Sequence, residues 1–145
     1  MKTILVPLDF SGASAGILQT AASLAQALQA RLVLLHVLQP IVAAGDPLLD
    51  AAQIAATQVA SDQRARTELG RAREEFRREG LTVEEELHDG AAAATILERA
   101  RALPAELIVM GSHGHTALYD LLLGSTSHAV VKNSPCPVVI VPSRL

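Results

Sequence analysis

The chain is nearly without aromatic side chains: two Phe, one Tyr and no Trp among 145 residues. A core must therefore come from Val, Leu, Ile and Ala, which favours helices packed on a β-branched sheet over an aromatic-rich β-sandwich. A single cysteine, Cys136, excludes an intramolecular disulfide framework and suits a reducing compartment. It sits in "SPCPVVIV", at the entry to an apolar run, and reads as a packing residue rather than a reactive one. There is no basic excess either. The formal net charge of −3 gives no general attraction to nucleic acid or to an anionic membrane, and neither is expected as a partner. The one concentration of Arg, "RARTELGRAREEFRREG", is laced with Glu. Arg71 with Glu75 and Glu74 with Arg78 stand at i, i+4, the pattern of a solvated helix face. No apolar run reaches the length a bilayer needs, and Pro7 and Asp9 interrupt the one at the N-terminus. A soluble, cytoplasmic protein is expected. Finally, the sequence contains no Gly-Lys-Ser/Thr, so any glycine loop in it does not hold phosphate as a Walker A loop would.

What is present is a regular alternation over the length of one domain, residues 1–145. "TILVPL" (3–8), "RLVLLHV" (31–37), "LTVEEEL" (81–87), "LIVM" (107–110) and "PVVIV" (137–141) read as five strands. Helical stretches fall at 13–29, about 50–79, 91–103 and a last segment ending near Asn133. The alternation predicts an α/β fold: an open five-stranded parallel sheet with helices on both faces, in the common order 3-2-1-4-5. "LTVEEEL" alternates apolar and acidic residues, as an edge or half-exposed strand should. Pro7 predicts that the first strand loosens its ladder near its carboxyl end.

In open parallel sheets ligands bind beyond the carboxyl ends of the strands, where the winding direction reverses. In this order the reversal falls between the first and fourth strands. The first runs out into Asp9 and the fourth into Gly111-Ser112-His113-Gly114. Gly111 and Gly114 let the backbone turn and approach a ligand closely. Gly124-Ser125-Thr126-Ser127 opens a further apolar-periodic segment, with Ser125 as N-cap or first-turn residue. The free N–H groups of a helix start suit an anion, and the three hydroxyls can add donors. Asp9 suits a ribose hydroxyl, a base N–H or a metal ion. Together these residues describe a nucleotide site.

The spacing Gly111-x2-Gly114-x9-Gly124-Ser125, with "ILVPLDFSGAS", "DGAAAATILERA" and "PCPVVIVP" around it, resembles the universal stress proteins, specifically their ATP-binding branch. The resemblance covers essentially the whole chain. It implies a Rossmann-like domain that binds ATP or another adenine nucleotide, with or without magnesium. It further implies that Pro7, Asp9 and Val37 contact the adenosine and that Met110 and Gly111 line base and ribose. Gly114, Gly124, Ser125 and Thr126 would hold the phosphates, with His113 in the connecting turn where the family often has a more basic residue. A homodimer formed through the last strand is also implied. That agrees with a physical expectation, since an apolar edge strand such as "PVVIVP" needs a cover.

No catalytic constellation emerges. His113 and His115 are two residues apart, not at the i, i+4 spacing of a helical zinc pair, and no metal site is expected. His36 and His128 read as packed or capping residues. A phosphoacceptor receiver domain would need an acidic pair beside Asp9, an acceptor Asp after the third strand and a Lys after the fifth; this chain has no acidic pair beside Asp9 and no Lys after the fifth strand, and that reading is rejected. The expected function is that of a nucleotide-responsive stress or signalling dimer without efficient catalysis. The alternative is a slow ATPase or an autophosphorylating enzyme, which the absence of an evident general base disfavours.

Overall fold

The structure, a computed structural model, describes residues 1–40, 50–113 and 123–143. The elements follow in the order β1 (Thr3–Pro7), α1 (Ser14–Leu28), β2 (Arg31–Leu38), α2 (Ala51–Arg78), β3 (Val83–Asp89), α3 (Ala92–Ala102), β4 (Leu107–Gly111), α4 (Ser125–Asn133) and β5 (Val138–Val141). The strands form one sheet in the order β3-β2-β1-β4-β5, every neighbouring pair parallel. This is the architecture the alternation predicts. The third strand begins two residues later than expected, because Gly80 at φ 84° closes α2. Its N–H bonds to the Arg77 carbonyl and that of Leu81 to the Phe76 carbonyl, a left-handed helix end that absorbs Leu81 into the turn.

Two apolar layers cover the sheet. On one face Ile4, Val6, Leu32, Leu34 and Val109 meet Ile17 and Ala21 of α1 and Leu69 and Phe76 of α2. On the other, Leu5, Val33, Leu35 and Ile108 meet Ile96 and Leu97 of α3 and Val130 of α4. The central strands are buried on both faces, which is why β1 and β2 read as continuous apolar runs rather than alternating ones. Each fully buried Leu or Ile contributes about 1.5–3 kcal/mol. Cys136 is half-buried against the second layer, the packing role expected of it.

Helix α2 starts at Asp50, whose side chain accepts from the Gln53 backbone while Gln53 reciprocates, a capping box. Its buried residues, Ala65, Leu69, Ala72 and Phe76, all lie in its C-terminal half. The expected i, i+4 ion pairs are replaced by Arg71–Glu68 and Arg77–Glu74 at i, i+3. Arg73 instead leaves the helix surface and reaches Glu85 on β3 at 3.0 Å.

Pro7 closes β1. The Thr3 carbonyl accepts from Glu106 and the Leu8 N–H donates to Leu35, so odd-numbered residues of β1 face β4 and even-numbered ones face β2. The missing N–H of Pro7 therefore faces β4. Pairing of β1 with β4 reaches only Leu5↔Ile108, whereas pairing with β2 runs on to Pro7↔Leu35. The ladder loosens where the proline predicts, at the point where the winding direction reverses.

Candidate functional site

At the exit of β1 the Asp9 carboxylate accepts the Ser11 backbone N–H at 2.9 Å, closing a tight turn. Between them Phe10 adopts φ 59°, a left-handed conformation that costs a non-glycine residue on the order of 1–3 kcal/mol. Its ring packs on that of His36, centroids 5.1 Å apart and tilted by 42°. The Nδ1 of His36 lies 2.7 Å from the Leu8 carbonyl oxygen. His36 is thus a packed residue, as expected. His128 is exposed on α4, so it is not.

At the exit of β4 the organising residue is Ser112, which no sequence pattern singles out. It is 6% exposed. Its N–H donates to Val141 of β5, its carbonyl accepts from Gly124 at 2.7 Å, and its hydroxyl accepts from the Ser143 N–H at 3.1 Å. The buried Ser127 hydroxyl lies 2.8 Å from the Ser112 carbonyl oxygen and 3.1 Å from that of Gly111, both acceptors for its proton. One serine thereby ties together the end of β4, the start of α4 and the segment leaving β5. The consequence corrects the sequence reading: the Ser127 hydroxyl is spent on backbone carbonyls and is no donor to a ligand. No sequence pattern separates these roles, since the contact joins residues 15 and 16 positions apart.

Gly124 is the N-cap of α4 and Ser125 its first residue; no side chain caps the helix. The first-turn N–H groups lack intrahelical partners by construction. Gly111 carries a packing task as well. A Cβ there would stand 3.0 Å from Cδ1 of Ile17, so the glycine lets α1 pack closely on β4.

Among the remaining candidates, Asp9 is half-buried, Ser125 exposed and Thr126 half-buried at these two exits. His113 follows Ser112, its Nδ1 3.2 Å from the Ser112 hydroxyl. It lines an open groove of about 700 Å³ together with Ser11, Gly12, Thr20, Val141 and Ser143. The structure thus brings the turn after Asp9 and His113 to one groove. It does not bring Val37 and Met110 there. They are 8% and 5% exposed and belong to the apolar layer under α3 and α4. Pro7 is buried as well. Gly114, with His115 and Asp120, lies outside the described residues. Among the described residues no group of three or more His, Cys, Asp or Glu side chains could hold a metal ion. None of the described helices is long and apolar enough to cross a membrane.

A parallel sheet with a carboxylate turn at one side of the reversal and a helix start at the other defines the class of doubly wound α/β proteins that take ligands at the strand ends. Comparison makes the assignment specific. The model of the universal stress protein family matches residues 1–142, and the chain belongs to that family. A universal stress protein of Thermus aquaticus is 35% identical over 142 residues, 97% of this chain and 98% of its own. The solved structure of UspA from Lactobacillus plantarum superposes with a TM-score of 0.84 at 28% identity, covering 97% of each chain. A universal stress protein solved in complex with cAMP gives a TM-score of 0.71 at 25% identity, over 97% of this chain and 96% of that one.

Proposed function

We propose that this protein binds an adenine nucleotide, ATP in the first instance, where β1 and β4 part. The observation that carries this is the pairing at the point of reversal of two exits of opposite character. One presents the Asp9 carboxylate in a tight turn, an acceptor suited to ribose hydroxyls or a base N–H. The other presents the start of α4, an arrangement of N–H groups and partial positive charge suited to phosphate. The relative solved with cAMP supports the adenine preference.

The residues fit such a ligand in part. Gly114, Gly124, Ser125 and Thr126 would meet the phosphates, with Gly111 on the base and ribose side and His113 in the connecting turn. Pro7, Val37 and Met110 would offer only the small edges their burial leaves at the strand ends. Magnesium, if it accompanies the nucleotide, would be held chiefly by phosphate oxygens and water, the usual habit of that ion. The protein acts as a nucleotide-responsive cytoplasmic homodimer in stress signalling, joined through β5, and not as an efficient hydrolase. Of the hydroxyls around the start of α4, those of Ser127 and Ser112 are engaged with backbone groups, which leaves Ser125 and Thr126 to take a phosphoryl group.

Denaturing the purified protein and identifying the released small molecule tests the reading. Adenine nucleotide is expected; a protein that releases none and does not bind added ATP overturns it. Incubation with γ-labelled ATP and magnesium should leave the nucleotide intact. Free phosphate or labelled protein would establish the slow-enzyme alternative.

A further inference from the structure

Resting on that nucleotide-site reading, we propose that His36 is the positioning residue for Asp9, holding the carboxylate in place by pinning both of its chain neighbours. On one side its Nδ1 lies 2.7 Å from the Leu8 carbonyl oxygen. A carbonyl only accepts, so Nδ1 carries a proton and is the donor of this bond. On the other side its ring packs on Phe10 at 5.1 Å. Leu8 and Phe10 flank Asp9 directly. The bond falls where the β1–β2 ladder stops: Leu8 still donates to Leu35, but the paired register ends at Pro7↔Leu35. A side chain of β2 thus holds the chain just beyond the last rung.

The backbone needs that hold. Phe10 stands at φ 59°, a conformation an aromatic residue leaves readily unless its surroundings fix it. The turn closed by the Asp9 side chain and the Ser11 N–H spans this same residue. Releasing Leu8 or Phe10 lets the turn relax, and the carboxylate moves with it. His36 touches the nucleotide in no part of this scheme; it acts through Asp9 alone.

That dependence makes the test sharp. ATP binding is measured by calorimetry for the unaltered protein, Asp9→Ala, His36→Phe and the double variant, with thermal unfolding alongside. His36→Phe keeps a flat ring against Phe10 and removes the donor. It is expected to weaken ATP binding roughly three- to tenfold, the scale of one lost hydrogen bond. In the Asp9→Ala background the same change should do nothing further, because the group it positions is gone. Equal effects in both backgrounds, or no effect in either, overturn the proposal. If His36→Phe does not fold, His36→Asn serves, since its amide N–H can replace the Nδ1 donor. It should then bind within about threefold of the unaltered protein, and a loss as large as that of Asp9→Ala would count against the role. Unchanged ATP affinity in Asp9→Ala alone is a different result, which refutes the placement of the nucleotide at Asp9 rather than the link to His36.

Discussion

The two edges of this sheet are built on opposite principles. At β3, three successive glutamates each meet an arginine from a different element: Glu84 with Arg31 of β2, Glu85 with Arg73 of α2 and Glu86 with Arg99 of α3. At β5 the strand is Val-Val-Ile-Val, half-buried throughout, bracketed by Pro137 and Pro142 and, among the described residues, paired with β4 alone. An edge presents unpaired backbone groups to any passing strand, and charged side chains are a common guard against such pairing. The first edge carries that guard and the second does not. The contrast indicates that β5 is the edge meant to be covered, in line with the proposed dimer.

The most drastic way to break the comparison is to separate the two sides of β5. The carbonyls of Pro137 and Val141 accept from β4, so Val139 also faces β4, while Val138 and Ile140 turn their backbone groups outward. Val139→Pro removes a group facing the β4 ladder and should cost about 3 kcal/mol or more of stability, the scale of a proline inside a regular element. Ile140→Pro removes an outward N–H and trims a half-buried side chain from the second apolar layer, but leaves the β4 ladder intact. It should leave the fold cooperative while converting the dimer to monomer in sedimentation velocity. A dimer that survives Ile140→Pro places the interface elsewhere.

The guarded edge is tested next by cutting its most buried clasp. Glu86 accepts from Nε and Nη2 of Arg99 at 2.7 and 2.9 Å, with His88 Nε2 2.9 Å away. Burial alone would raise the Glu86 pKa, but the Arg99 hydrogen bonds and His88 outweigh it and hold the carboxyl below its ordinary 4.5. A depressed folded-state value means stability that is fully present above the unfolded pKa and lost as pH falls through the folded one. Arg99→Met should therefore cost about 1.5–3 kcal/mol near neutral pH, the scale of hydrogen bonds to a charged group. Below pH 4.5 the gap to the unaltered protein should narrow as Glu86 protonates in both. Urea unfolding at pH 7 and in acid measures both, and a gap independent of pH would mean that Arg99 contributes by packing alone.

Much of this contrast could be read from the sequence. "VEEEL" announced a half-exposed edge and "VVIV" an uncovered one, because strand faces alternate with a period of two. Pro7 marked the gap beside β4 for an equally local reason, a missing N–H. The site was legible only as positions. Asp9, Gly124 and Ser125 stand at the exits expected of them, yet the interior of the site depended on contacts that no spacing encodes. Ser127 reads as one more ligand hydroxyl and Ser112 carries no assigned role in the sequence, and only the docking of α4 on β4 turns the two into a structural knot. His36 lies 28 residues from Leu8, and nothing local says that its ring faces that carbonyl. Val37 and Met110 end central strands, where depth is set by the helices laid over them.

The smallest effect is expected at the outer end of the guarded edge, and it decides what kind of guard this is. The Glu84 side chain is 51% exposed, and its partner Arg31 lies 2.9 Å away. Arg31 is independently held, its Nε donating to the Thr3 hydroxyl at 2.8 Å. Glu84→Gln therefore leaves the arginine in place, with an amide oxygen still able to accept from it. The loss should stay within about 0.5 kcal/mol and shrink further at high salt, as for other exposed pairs. If each clasp acts locally, the Arg99→Met loss greatly exceeds this one. If instead the glutamates guard the edge by their summed charge, Glu84→Gln leaves stability unchanged yet raises light scattering in concentrated solution. Scattering and urea unfolding measured on the same samples separate the two.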